Sequence, residues 1–202
     1  MNKSLAKLFI ISLFFLSSCS PSTKNIDSQG KAIVCFGDSI TYGIGSDPGC
    51  DYPAYLKEIL GMEIVNAGLS GDTTQSALNR LERDVLEYQP YIVIVELGGN
   101  DFLKNVPKEE TVENLENIIN KIQQKGSMVA LCDTSGSFIF RTYKSDYKKL
   151  AKKTGAIFIP GILAGILETP SLKYDQIHPN SKGYKIIAQR VYKAIKPYIK
   201  LK

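Results

Sequence analysis

Apolar residues along the chain fall into two rhythms. Short continuous runs at 32–36, 63–66, 92–97, 128–132 and 157–159 predict strands. The runs at 32–36 and 92–97 are rich in β-branched residues with little alternation, as strands buried on both faces require. Between the runs, residues 52–60, 73–87, 111–125 and 143–153 repeat apolar positions at helical spacing. Residues 181–202 add a stripe of Tyr184, Ile187, Ala188, Val191 and Ile195, whose intervening lysines form the wet face of a surface helix. Strand–helix alternation predicts a parallel sheet covered by helices on both sides. Right-handed crossovers narrow this to an α/β fold, a three-layer α/β/α sandwich on a five-stranded, flavodoxin-like doubly wound sheet.

The N-terminus follows a different pattern. Lys3 and Lys7 lead into an apolar run at 8–16, followed by Ser17, Ser18 and Cys19. A bilayer span takes about 20 apolar residues, so this run predicts a signal-peptide core and not a transmembrane helix. The ending Leu16-Ser17-Ser18-Cys19 resembles the lipobox of bacterial lipoproteins. That resemblance implies cleavage before Cys19 and lipid attachment to it, and two or more acyl chains hold a protein stably on a membrane. The alternative is an ordinary signal peptide cut nearby, releasing a soluble protein. The expected organisation is a lipoprotein signal peptide at 1–18, the lipidated Cys19 and a polar, flexible tether at 19–30, and one domain at 31–202. The expected location is the periplasmic face of a bacterial membrane, and Ser20, in place of an Asp after the lipidated residue, points to the outer one.

Charge removes some partners. Setting aside Lys3 and Lys7 from the 25 basic residues leaves 23 against 20 acidic ones, a net charge near +3. That is too mild to draw nucleic acid. Cys35 and Cys132 lie inside strand-like runs and read as small buried hydrophobes, while Cys50 sits in a Gly/Pro loop. No cysteine pair has metal-ligand spacing, and with one histidine in the chain neither a metal nor a cofactor is expected.

That histidine, His178, stands three residues after Asp175. On a helical turn the two side chains project to one side, so the carboxylate could hold one ring nitrogen and leave the other free to take a proton. A histidine ahead of Pro179 is equally consistent with a loop closing before a helix. Ser39 directly follows the first strand, where it is either a hydroxyl nucleophile at a helix start or an N-cap. Gly71, in the loop after the second strand, allows close approach of a backbone N–H to a ligand or simply starts a helix. Asn100, after the third strand and two glycines, offers an amide donor or a cap, and Asp101 suits the cap as well. Ligands in doubly wound sheets bind beyond the carboxyl ends of the strands, so all these loops converge at one end.

Taken in order, Gly37-Asp38-Ser39, Gly71-Asp72, Gly98-Gly99-Asn100-Asp101 and Asp175-Gln176-Ile177-His178 resemble the SGNH, or GDSL, hydrolase family. The strings Asn66-Ala67-Gly68-Leu69-Ser70-Gly71-Asp72 and Val95-Glu96-Leu97-Gly98-Gly99-Asn100-Asp101 are similar to its bacterial thioesterase I/lysophospholipase L1/arylesterase branch. The resemblance implies a serine esterase or thioesterase with Ser39 as nucleophile, His178 as base and Asp175 as its orienter. The oxyanion hole would be the N–H groups of Ser39 and Gly71 with the Asn100 side chain. Asp38 would hold the first loop in shape. The implied substrate is a small acyl ester or lipid, the expected state a monomer, and Phe138, Ile139 and Phe140 either line an acyl pocket or pack beneath their loop. A carbohydrate O-acetylesterase acting on envelope glycans and a lipid-anchored, non-catalytic binding protein are the competing functions. The nucleophile elbow Gly-x-Ser-x-Gly of ordinary α/β-hydrolases is absent from the chain.

Overall fold

Ile33 to Phe36 is apolar at every position, and a strand with two apolar faces is stable only between two layers of helix. A computed structural model describes residues 23–134 and 143–200, and in it this run is β1 (Ala32–Gly37), inside a five-stranded parallel sheet. β2 (Ile64–Gly68), β3 (Pro90–Glu96), β4 (Met128–Cys132) and β5 (Ile157–Ile159) complete the order β2-β1-β3-β4-β5. Cys35 pairs with Asn66 on one side and Ile94 on the other, so β1 and β3 flank the point where the chain reverses direction across the sheet. Pro90 occupies the first position of β3, where a missing N–H is tolerated.

Alternation along β1 sorts its side chains into two cores. Ile33 and Cys35 pack with Tyr52, Leu56, Ile187 and Val191, beneath α2 (Tyr52–Leu60) and α7 (Ser181–Ile195). Val34 and Phe36 pack with Ala77, Leu81, Ile118 and Tyr147, beneath α3 (Thr74–Asp84), α5 (Lys108–Gln124) and α6 (Lys144–Thr154). The short helices α1 (Ser39–Tyr42) and α4 (Gly99–Leu103) stand at the carboxyl ends of β1 and β3. The three-layer sandwich is therefore as the sequence predicts. Helix ends differ: the segment expected at 73–87 stops at Asp84, and a 3₁₀ turn follows at Leu86–Tyr88. The segment expected to run to 202 stops at Ile195, and Pro197 shapes the turn Lys196–Tyr198.

The expected flexible tether needs correction in its second half. Lys24 N–H donates to Gly155 O at 3.0 Å, and the Asn25 amide donates to Gln123 O at 2.7 Å and Ser127 O at 2.9 Å. Ser28 is buried, and Gly30 lies against the backbone of Pro90. Composition correctly denies this segment an apolar anchor. It is held instead by hydrogen bonds to the carbonyls of Ser127 and Gly155, just before β4 and β5, and of Gln123 in the last turn of α5. The signal-peptide and lipidation readings, Cys19 among them, lie outside the described residues, as do Phe138, Ile139 and Phe140. Among the described residues no helix is long and apolar enough to cross a membrane. Cys35, Cys50 and Cys132 are free thiols, the first and last buried.

Candidate active site

Ser39 opens α1 immediately beyond β1, and Asp38 caps that single turn, its Oδ1 accepting the Ile40 N–H at 3.0 Å. Gly37 ahead of it admits no side chain: a Cβ there would lie 2.1 Å from Thr41 Oγ1 and 2.4 Å from Glu96 O. Close packing of β1 against β3 thus fixes the direction in which the serine leaves the sheet. The helix is only four residues long, so its contribution is that of one turn's free N–H groups and not of an extended dipole.

His178 arrives from the far end of the chain. Its Nε2 lies 3.0 Å from Ser39 Oγ and its Nδ1 2.8 Å from Asp175 Oδ2. The Asp175–His178 segment is a bent loop and not the helical turn expected from spacing. Asp175 Oδ1 accepts the N–H groups of Ile177 and His178, both at 2.8 Å, while the Tyr174 N–H donates to His178 O at 2.9 Å. Partial burial pushes the Asp175 carboxyl up, but the bonds from the His178 ring and these two N–H groups outweigh it and hold the group below its ordinary range. Asn180 caps α7 through the N–H groups of Lys182 and Gly183, and its amide donates back to Ser171 O. The loop is thereby clamped to the helix that follows.

Gly71 is exposed, and its φ of +80° is one that side chains rarely adopt. Among the described residues neither its N–H nor that of Ser39 has a hydrogen-bond acceptor. The Asn100 amide sits between the first two loops, donating to Asp38 Oδ2 and to Asp72 O, each at 3.0 Å. Both of its N–H groups are thus engaged, and donating to a reacting oxygen would require it to exchange one of these bonds. Asp101 does not cap its own helix. It is fully buried and accepts from the Thr74 N–H and hydroxyl, so it caps α3 from the neighbouring loop beyond β3.

Beneath these groups lies buried charge that pattern reading did not single out. Asp72 pairs with Arg80 at 2.7 Å, and Arg80 also donates to Gly37 O at 3.1 Å and stacks 4.5 Å over the Phe36 ring. One guanidinium therefore joins the loops after β1 and β2. The spacing of Asp72, Ser76 and Arg80 along one helical face was the available signal. Glu96, at the end of the Val-rich β3, is 1% exposed and accepts the Thr41 hydroxyl, which in turn meets Tyr52 OH. Burial, followed by the nearby Asp38 charge, pushes the Glu96 carboxyl far above its ordinary range. Burial also raises Asp38, to about 6, against the bonds from Ile40 and Glu96. Two carboxyl groups in one dry pocket do not both ionise, and Glu96 is the one that keeps its proton.

The cleft over Ser39 is walled by Asn100, Leu103, Leu163, Ile177 and His178. Leu103 is exposed at its edge, and Tyr42, Leu69 and Tyr174 are exposed on the neighbouring loops and helix that follow β1 and β2 and precede His178. A larger cavity of about 640 Å³ opens at the opposite end of the sheet, beside Asn25, Ser28 and Pro90, and holds neither Ser39 nor His178. Among the described residues no group of three or more His, Cys, Asp or Glu side chains is placed to hold a metal ion.

A hydroxyl, an imidazole and a carboxylate linked in series are equipped for nucleophilic acyl transfer. The model of the GDSL-like lipase/acylhydrolase family matches residues 35–186, spanning Ser39, Gly71, Asn100, Asp175 and His178. The chain belongs to that family. It is a serine hydrolase of ester bonds. Thioesterase 1/protease 1/lysophospholipase L1 of Escherichia coli (strain K12) is 28% identical to it over 180 residues, covering 85% of this chain and 86% of the relative. An uncharacterized lipoprotein of Bacillus subtilis (strain 168) is 34% identical over 119 residues, 52% of this chain and 49% of the relative. The crystal structure of TesA superposes with a TM-score of 0.77 at 27% identity, covering 84% of this chain and all of that one.

Proposed function

We propose that this acylhydrolase cleaves carboxylic esters or thioesters through an acyl-enzyme on Ser39. The observation that carries the reading is the relay Ser39 Oγ–His178 Nε2 at 3.0 Å and His178 Nδ1–Asp175 Oδ2 at 2.8 Å. Ser39 Oγ attacks the acyl carbon as its proton passes to Nε2, and Asp175 stabilises the resulting imidazolium. The carbonyl oxygen takes up charge between the free N–H groups of Ser39 and Gly71, and the Asn100 amide turns to it from Asp38 or Asp72. The leaving alkoxide or thiolate departs with the proton held on Nε2. Water then enters, loses a proton to the same nitrogen and releases the acid, restoring Ser39. The open mouth with its apolar side chains suits an acyl group whose remainder stays in solvent, and the chemistry needs no second subunit. The lipoprotein relative supports lipid attachment at Cys19, and thus an exported, anchored enzyme; the periplasmic face of the outer membrane is favoured by Ser20 alone.

The test is Ser39→Ala beside the parent chain. The parent is expected to release a burst of p-nitrophenol from a short-chain ester and to be labelled by a fluorophosphonate. The variant should keep its melting temperature and lose both signals, with turnover falling at least about 10⁴-fold. Undiminished turnover would remove Ser39 from the reaction, whereas a parent chain with neither turnover nor label would leave the binding-protein reading standing.

A further inference from the structure

Ser39 and His178 are carried by segments far apart in the chain, and proton transfer between them depends on how those segments are spaced. The histidine stands in a pinched loop closed by an antiparallel bridge between Lys173 and Pro179, with the Tyr174 N–H on its carbonyl. Asp175 belongs to the same loop and bonds both the ring and the backbone of His178, so base and orienter are held as one unit. Their distance from the alcohol is a separate matter. The relay is 3.0 Å long, and a misplacement of about 1 Å can cost roughly 10²-fold in rate.

The segment Gly43–Asp47, which follows α1, bridges the two. At its near end Ser39 O accepts the N–H groups of Gly43 and Ile44, each at 3.0 Å. Ser46 turns back on Gly43 O through its N–H at 3.1 Å and its hydroxyl at 2.8 Å, so the segment is a closed turn and not slack chain. At its far end it meets the histidine's loop and the helix behind it. The hydroxyl of the fully buried Tyr184 donates to Ile44 O at 2.7 Å. Ser181 Oγ accepts the Asp47 N–H at 3.0 Å and donates to Asp47 Oδ2 at 2.7 Å. Gly45 lies between these ties at φ +88°, so tightly placed that a Cβ there would fall 2.5 Å from Tyr174 Cβ and 2.7 Å from Pro179 O. Tyr174 and Pro179 are the residues that bracket the Asp175–His178 unit.

We propose that Gly43–Asp47 is a strut that sets the spacing between nucleophile and base, with Gly45, Ser181 and Tyr184 as positioning residues for the proton transfer. The inference rests on the acyl-enzyme reading for its effect on rate, and adds residues that stand outside the relay and the oxyanion hole. Gly45 is the most informative of them. Its free space is taken by backbone and by a Cβ, not by the tip of a flexible side chain, so an added methyl must push the two segments apart. Gly49, further along the same connection, has φ +75° but nothing among the described residues within 4 Å of its Cβ position. Gly49→Ala therefore carries the backbone strain without the wedge.

The experiment compares Gly45→Ala with Gly49→Ala in the untagged chain. On a short-chain p-nitrophenyl ester, Gly45→Ala should lower kcat about 10²-fold and Gly49→Ala by no more than about two-fold. His178 is the only histidine, so its ring signals in a nitrogen-15 spectrum need no assignment. In the parent and in Gly49→Ala, adding Ser39→Ala should shift the Nε2 resonance. In Gly45→Ala that shift should vanish while the Nδ1 proton bonded to Asp175 keeps its position, since the loop moves as a unit. Ser181→Ala combined with Tyr184→Phe deletes bonds without a wedge and should lower kcat about ten-fold. Ser181→Thr, which returns the hydroxyl, should recover the share lost in Ser181→Ala. Equal rates for the two glycine variants, or a Ser39-dependent shift that survives in Gly45→Ala, overturns the strut. A parent that shows the shift yet takes no fluorophosphonate label refutes the acyl-enzyme reading instead, and the strut is then decided by the spectrum alone.

Discussion

At the carboxyl ends of the strands this protein buries ionisable groups: Asp38, Asp72, Arg80, Glu96 and Asp101 are each no more than 9% exposed. At the amino ends of the same strands, the arriving segment is held through neutral groups, chiefly the Asn25 amide and the carbonyls of Gln123, Ser127 and Gly155. Burying an ion costs several kcal/mol unless partners satisfy it, whereas a neutral hydrogen bond contributes about 1 kcal/mol and costs little to desolvate. The expensive chemistry is concentrated where three loops must hold reacting groups in register. The cheap kind suffices where a segment needs only to lie down.

The sharpest way to break this contrast is Arg80→Ala. It leaves Asp72 buried without its partner and strips a donor from Gly37 O, so unfolding free energy should fall by about 3–5 kcal/mol in denaturant titrations. A loss under about 1 kcal/mol would mean that the two loops are held by packing alone.

Asp38 provides a smaller and pH-dependent probe. Its folded value, about 6, is raised above the ordinary carboxyl value, so the native state binds a proton that the unfolded chain has released. The associated stability is complete below about pH 4 and is lost as pH rises through 6. Thermal melts should therefore show a decline across that window, and Asp38→Asn should flatten it. An unchanged slope would assign the effect to other groups. The same variant should slow ester turnover by turning the Asn100 amide away from its acceptor.

Least costly should be Asn25→Gly. Glycine keeps the left-handed backbone at φ 59° while removing two bonds, so stability should fall by about 2 kcal/mol and the rate on a soluble ester should not change. A large loss of esterase activity would show that the two ends of the sheet are coupled after all.

Much of this was legible in the chain. Runs of β-branched residues announced β1 and β3, helical stripes gave both covering layers, and the loop residues beyond the strands pointed to a common end of the sheet. What escaped has physical reasons. Asp175 and His178 have helical spacing, yet the Asp side chain captures two backbone N–H groups and bends the segment into a loop. Glu96 reads as the polar close of an apolar strand, because periodicity records which face a residue occupies and not whether its proton is retained. Asn25 offered no apolar surface, so nothing in composition showed that it would find backbone carbonyls 98 and 102 residues away.

The contact between Ser39 and His178 joins positions 139 residues apart, and the histidine depends on α7 for its footing. A chain emerging N-terminus first carries its alcohol early and its imidazole almost last. Until the final helix settles over Ile33 and Cys35, Ser39 has no partner to deprotonate it. The chain thus remains chemically silent until its last helix is in place.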